Sequence, residues 1–242
     1  MIVESAKMGA GPTDTGGQDT MIRWATFDCF GTLVDWRHGI ATGLELLFPG
    51  RGAQLLEVYH GIEPQVQAEV PVRRYREVLA ESVRRTAAEA GLELVADDAS
   101  VLGTGLPYWP VFPDTRPALA ALREAGWRLA LLTNCDRDLI GETQRRLAVP
   151  IDAVVTAEDV GEYKPGHGHF RRFAASFDAT AGNWVHVAQS HFHDMVPAQA
   201  LGIPRVWVNR HAGPQDPAVA DAVLPDLNGL AETVERVHAA AR

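Results

Sequence analysis

From Pro113 to its C-terminus the chain alternates between helical and stranded patterns, and this alternation constrains the fold more than any other feature. PDTRPALAALREAG carries apolar residues at helical spacing, WRLALLT is a short apolar run, RDLIGETQRRLA is helical again and IDAVVT is stranded. The pattern continues through HGHFRRFAASF (helix), WVHVAQS (strand), DMVPAQALG (helix), RVWVN (strand) and a final AETVERVHAAA helix. Strands separated by helices return to one sheet only by crossovers, so the expected fold class is α/β: a parallel sheet core with helices on both faces.

Upstream, Met21 opens IRWATFD, a mostly apolar run that suits a strand buried on both faces and ending near Asp28. Residues 1–20 end in GAGPTDTGGQDT, without apolar periodicity, and are expected to form a loose tail. Between Trp36 and Pro107 the texture is helical. Val70, Tyr75, Val78, Leu79, Val83 and Ala87 fall at helical spacings until Gly91 stops the run, and Gly103 to Pro113 reads as a linker. The expected organisation is therefore a tail over 1–20, a core over 21–36 and 110–242, and a helical insertion over 37–109.

Charge and composition exclude several classes. Twenty-two Lys and Arg against 31 Asp and Glu leave a net charge of −9, the wrong sign for a nucleic-acid phosphate backbone. No uninterrupted apolar run approaches the roughly 20 residues of a membrane span, so no membrane partner is expected. Cys29 and Cys135 are too few for a disulfide framework, and the N-terminus joins no basic start to an apolar signal core, so a reducing cytoplasm is the expected compartment. The expected partner is a small molecule. A homodimer paired through the insertion is left open.

In an open parallel sheet, ligands collect beyond the carboxyl ends of the strands. The polar residues there are Asp28, then Thr133 and Asn134, then Lys164, then Gln189, Ser190, His191 and Asp194. Any one of them is what a strand end meeting solvent carries; their combination points to a site. Asp28 followed by Gly31 allows a tight loop to turn backbone N–H groups towards an anion, while the carboxylate attacks carbon or phosphorus. A nearby Lys164 would keep Asp28 ionised and offset a substrate carboxylate. Thr133 and Asn134 offer a hydroxyl and an amide for orienting a substrate, and Thr32 a hydrogen bond for orienting Asp28. Asp194 suits positioning or activating water, or binding a divalent cation.

Four segments resemble, in order, the four motifs of the haloacid dehalogenase superfamily: DCFGTLVD from Asp28 to Asp35, Leu132-Thr133-Asn134, Tyr163-Lys164-Pro165, and VAQSHFHD from Val187 to Asp194. The insertion resembles that superfamily's type-one helical cap domain. DCFGTLVDW and LGIPRVWVNR are most similar to the 2-haloacid dehalogenase (type II) branch. The resemblance implies a Rossmann-like core and a hydrolase working through a covalent aspartyl ester at Asp28, acting on a small 2-halocarboxylic acid.

Two positions separate this reading from the superfamily's phosphatases. Those resemble one another in a second Asp two residues after the nucleophile, a general acid for the leaving alcohol, where this chain has Phe30. They also place a metal-binding Asp where this chain has Gln189. Halide needs no acid, so no cofactor is expected; Mg²⁺, on Asp28 and Asp194, belongs to the rival phosphatase reading. The chain also departs from dehalogenases. The halide-contacting Arg has no match near Tyr59, His60 and Glu63, a Tyr is replaced by Phe170, and the Ser and Asn of the fourth motif are Gln189 and His191. Another leaving group on carbon, fluoride or a strained ring amine, therefore stays open, as does a catalytically silent binding or regulatory module.

Phe30, Trp36, Tyr108 and Trp109 are candidates for walling a dry pocket, with Gln189, Ser190 and His191 contacting substrate. His191 also suits a partnership with Asp194 or a general base. The His167/His169 and His191/His193 pairs lack catalogue metal spacing, the cysteines read as inert core residues, and the arginines at 73, 74, 76, 84 and 85 read as a solvated face.

Overall fold

The computed structural model describes residues 21–242; the expected tail over 1–20 lies outside the described residues. Six strands, β1 (Trp24–Phe27), β2 (Arg128–Thr133), β3 (Ala153–Thr156), β4 (Trp184–Ala188), β5 (Arg205–Val208) and β6 (Ala222–Leu224), form one sheet in the order β3-β2-β1-β4-β5-β6. Every pairing is parallel. This is a Rossmann-like α/β fold. The sixth strand was not expected: three residues, Ala-Val-Leu, are too short to show a period.

The period of two along each strand sorts the core into two layers. Ala25, Phe27, Leu129, Leu131, Val185 and Val187 join one cluster, with Leu119 and Leu122 of α5 (Thr115–Glu124) and Val234 and Val237 of α10 (Leu230–Ala240). Trp24, Ala130, Leu132 and Trp184 join the other, with Phe170 and Phe173 of α8 (Gly168–Phe177) and Ala198 of α9 (Val196–Ala200). Each fully buried Val, Leu or Phe among them contributes about 1.5–3 kcal/mol. In that second phase two polar residues replace apolar ones: Thr26 and His186, side by side in register and both fully buried. The crossovers α6 (Arg137–Leu147) and α7 (Ala157–Val160) complete the core.

Helices α1 (Trp36–Leu47), α2 (Gly52–Gln67), α3 (Tyr75–Glu89) and α4 (Val101–Gly105) lie between β1 and β2. Asp35 starts α1 by accepting the His38 N–H at 3.0 Å. The helical pattern read across Val70 is interrupted. Pro71 supplies no N–H and disfavours a helical residue before it, so α2 stops at Gln67 and Val70 is 87% exposed rather than in the core. The expected linker over Gly103–Pro113 is partly helical, holding the end of α4 and a 3₁₀ turn at Leu106–Tyr108.

The arginines read as a solvated face include two that tie the insert to the core. Buried Asp136, just after β2, accepts the Tyr75 and Arg76 N–H groups at 2.7 and 3.2 Å and the Arg76 Nε at 2.9 Å, capping the start of α3 from the other layer. Arg74 reaches Asp138 and Glu158, each at 3.5 Å. Among the described residues no helix is long and apolar enough to cross a membrane.

Candidate active site

The strand order reverses at β1: the chain runs outward through β2 and β3 on one side, then returns to lay β4, β5 and β6 on the other. A crevice opens at the carboxyl ends of strands at such a point. Here it is a cavity of about 650 Å³ floored by Asp28, Thr133, Lys164 and Asp194 and walled on the insert side by Trp36, Tyr59, Glu63 and Gln67.

Asp28 follows β1 directly and is 7% exposed. The turn beyond it needs Gly31, whose φ of +102° is strained for other residues and whose added Cβ would meet the Gln189 Oε1 and Trp36 Nε1 at 3.0 Å. The turn brings Thr32 back. Its hydroxyl donates to Asp28 Oδ2 at 3.1 Å and accepts the Gln189 N–H at 2.9 Å, fixing the carboxylate against the end of β4.

Lys164, 1% exposed, donates from Nζ to Asp28 Oδ1 at 3.0 Å, to Asp194 Oδ1 at 2.6 Å and to the Leu132 carbonyl at 2.7 Å. One ammonium thus serves two carboxylates. Burial alone would lower its pKa, yet Asp194 and Asp28 together raise it, so it stays charged. Burial also works against both carboxylates, with unequal outcomes. Asp194, on the shorter contact and with a second donor, is held down to about 2. Asp28, burdened by burial and by the charge of Asp194 against the pull of Lys164, is pushed up to about 6.

The second donor is His186 Nε2, 3.1 Å from Asp194 Oδ1. Its tautomer follows from the network. The ionised Asp194 carboxylate can only accept, so the hydrogen of the neutral ring sits on Nε2, and Nδ1 accepts the Thr26 hydroxyl proton at 2.8 Å while Thr26 Oγ1 accepts from Trp184 Nε1 at 2.7 Å. Burial lowers the pKa of His186, keeping the ring neutral. The sequence reading missed this relay, although a histidine within an otherwise apolar buried strand was a signal for it.

The other expected residues divide. Thr133 Oγ1, His191 Nε2 and Asp194 Oδ2 are buried, line the cavity and lack hydrogen-bond partners among the described residues. Asn134 lines the cavity too, but its amide clamps the Lys164 backbone: Oδ1 accepts the Lys164 N–H at 2.8 Å and Nδ2 donates to the Lys164 carbonyl at 3.1 Å. Ser190 caps the following turn by accepting the His193 N–H at 3.0 Å. His191 is not the partner of Asp194; it packs edge-on against Trp207 at 5.5 Å, and His186 takes that place. Phe30, Trp36 and Gln189 line the cavity, whereas Trp109 does not. Its ring lies over Gly39, where an added Cβ would come within 2.2 Å of it, and backs Phe30 edge-on at 5.7 Å. Tyr108 points outward, 73% exposed. Phe170 packs edge-on against His186 at 5.1 Å and Cys29 and Cys135 are buried with thiol pKa values raised by burial, as inert core residues should be.

Does this donor set fit Mg²⁺? Lys164 occupies the position between the two carboxylates, the third candidate ligand is the neutral amide of Gln189, and among the described residues no three His, Cys, Asp or Glu side chains converge. A hard divalent cation prefers several anionic oxygens, so these residues do not fit a tightly held Mg²⁺.

A family model described as haloacid dehalogenase-like hydrolase matches residues 22–202. The chain belongs to that family. Among similar proteins are haloacetate dehalogenase H-2 of Moraxella sp. (strain B), 25% identical over 76% of this chain and 84% of its own length, and the plasmid phosphoglycolate phosphatase of Cupriavidus necator, 32% identical over 84% and 89%. The crystal structure of L-2-haloacid dehalogenase from Xanthobacter autotrophicus with chloropropionic acid covalently bound superposes with a TM-score of 0.76 at 21% identity, covering 89% of this chain and 99% of that one. Two residues past Asp28 in this haloacid dehalogenase-like hydrolase stands Phe30, which lines the cavity.

Proposed function

We propose that this hydrolase uses Asp28 to displace halide from the α-carbon of a small carboxylic acid, and that water then cleaves the resulting aspartyl ester to give a 2-hydroxy acid. The observation that carries the reading is the pairing of a cavity-facing Asp28 with buried Lys164 where Phe30, rather than a proton donor, stands beside it. Above about pH 6 Asp28 is a carboxylate, already desolvated and oriented by Thr32 and Lys164. Attack forms a C–O bond as the carbon–halogen bond breaks, and the halide leaves without a proton. The free Thr133 hydroxyl orients the substrate carboxylate, and Lys164 offsets its charge. Asp194 Oδ2, buried and unpaired, then accepts a hydrogen bond from the water that attacks the Asp28 ester carbonyl. Because its pKa is held so low, Asp194 orients that water more than it retains the proton. No metal is required in this scheme.

The test is halide release from 2-chloro- and 2-bromopropionate, with Asp28→Asn as control; unchanged release by the variant would refute the reading. The 32% identity to a phosphoglycolate phosphatase favours a second reading, hydrolysis of a small phosphoester. Its mark would be loss of activity in EDTA with rescue by Mg²⁺. Phe30 weighs against it, because lost general acid catalysis typically costs about 10²- to 10⁴-fold in rate.

A further inference from the structure

The insert contributes a carboxyl group of its own to the cavity. Tyr59, Glu63 and Gln67, spaced four residues apart on α2, share one helix face and line the same cavity as Asp28. The hydrogen-bond donors around Glu63 are neutral: the Gln67 amide, bonded to Glu63 Oε1, and the Tyr75 hydroxyl of α3. Tyr59, Tyr75 and Tyr163 face it, and burial raises all three phenols, so they stay uncharged. Arg37 also lines the cavity but is paired with Glu57 at 2.5 Å, and Lys164 is bound to both Asp28 and Asp194. A departing anion on the insert side would therefore meet a carboxyl group where a cation would suit it better. A leaving atom that departs as a base would find a proton there.

We infer that Glu63 donates a proton to the leaving atom, and that the site accepts small carboxylic acids carrying a strained three- or four-membered ring whose nitrogen or oxygen is that atom. Unstrained amines and alkoxides are too basic for a carboxylate to displace from carbon, whereas ring strain and protonation together make them leave. The inference rests on displacement by Asp28, as proposed above, and changes what is displaced. Asp28 forms the C–O bond, the ring C–N or C–O bond breaks, its electron pair passes to the heteroatom, and that atom takes the proton of Glu63. Water then cleaves the ester at the Asp28 carbonyl, restoring Asp28 and releasing one proton, which balances the one Glu63 gave. Burial pushes the Glu63 carboxyl up to about 7, so near neutrality both the donating and the spent forms are populated, and its partial exposure lets solvent reload it. Gln67 also accepts from Asn134 Nδ2 at 3.5 Å, and Asn134 clamps the Lys164 backbone. A hydrogen-bonded path thus connects the proposed acid with the lysine that holds the nucleophile.

The experiment compares oxirane-2-carboxylate and aziridine-2-carboxylate with 2-chloropropionate on the wild-type protein and on Glu63→Gln, following product by NMR and the Asp28 adduct by intact mass, with circular dichroism to confirm folding. The expected result is turnover of a ring substrate whose rate falls as pH rises through about 7. In Glu63→Gln the ratio of ring to halide turnover should fall by about 10²-fold or more, and that pH limb should vanish. Should the wild type turn over no halide substrate, the fall is read on the ring substrate alone. Turnover of 2-chloropropionate with neither ring opened overturns this inference and leaves displacement by Asp28 standing; an unchanged ratio or a retained limb overturns the role of Glu63. Ring opening without an Asp28 adduct, or no turnover of any substrate, overturns both.

Discussion

Removing the ammonium of Lys164 while keeping its bulk, as in Lys164→Met, isolates what the charge does. In the wild type Nζ lies 3.0 Å from Asp28 and 2.6 Å from Asp194, with the lysine 1% exposed and Asp194 fully buried. Methionine fills the space and leaves two carboxylates facing each other without a cation. Breaking a buried pair in this way typically costs about 3–5 kcal/mol, and the partners would each have to protonate to limit the loss. Both carboxyl pKa values should then rise, because the lysine is the main opposing pull on each. The sign follows from linkage. The folded variant binds a proton on Asp194 that the folded wild type does not, so its deficit should narrow as pH falls from 8 towards 5, by about 1.4 kcal/mol per pH unit for that group. Adding Asp28→Asn removes one of the opposed charges and should recover about 1–3 kcal/mol of the loss. Urea unfolding at pH 8, 6.5 and 5 for the four members of this double-mutant cycle measures all three quantities. A Lys164→Met protein within about 0.5 kcal/mol of wild type at pH 8, or a deficit that does not move with pH, would refute the reasoning.

With a 2-haloacid, kcat/KM should fall about tenfold per pH unit below pH 6, because Asp28 must be ionised and its pKa is raised to about 6; a flat profile down to pH 5 in a folded protein contradicts this. His186→Leu should cost about 1–3 kcal/mol in urea unfolding by leaving the buried Thr26 hydroxyl without its acceptor and Asp194 without a donor. The same variant should slow ester hydrolysis more than ester formation, so the Asp28 adduct should accumulate during turnover, as read by intact mass; equal slowing of both steps would mean that His186 does not position Asp194.

The parallel sheet was legible because its strands are buried on both faces and its crossover helices carry their own apolar stripe, a local pattern in each case. Asp28, Thr133, Lys164 and Asp194 were legible for a related reason: strand ends in such a sheet converge, so position along the chain predicts position in space. What escaped was decided by contacts between distant segments. Whether Trp109 faces the Asp28 cavity or a glycine depends on Gly39, 70 positions earlier, and the choice between His191 and His186 as partner of Asp194 is made by the fold, which brings His186 Nε2 of β4 within 3.1 Å of Asp194 Oδ1 while His191, in the turn after β4, packs on Trp207. Asn134 was expected to meet substrate; it does line the cavity, but its amide also clamps the Lys164 backbone, a contact between residues 30 positions apart. Glu63 looked unmatched in sequence; only its place in the lining of the same cavity as Asp28 gives it meaning.

The account stands on a transient bond between Asp28 and substrate, and a single turnover in H₂¹⁸O with enzyme in excess over a 2-haloacid tests it most directly. Water that opens the ester at the carbonyl must leave its oxygen on the protein, so the peptide containing Asp28 should gain 2 Da while the 2-hydroxy acid product stays unlabelled. Label in the product and none in Asp28 would mean that water attacks carbon directly and that no ester forms.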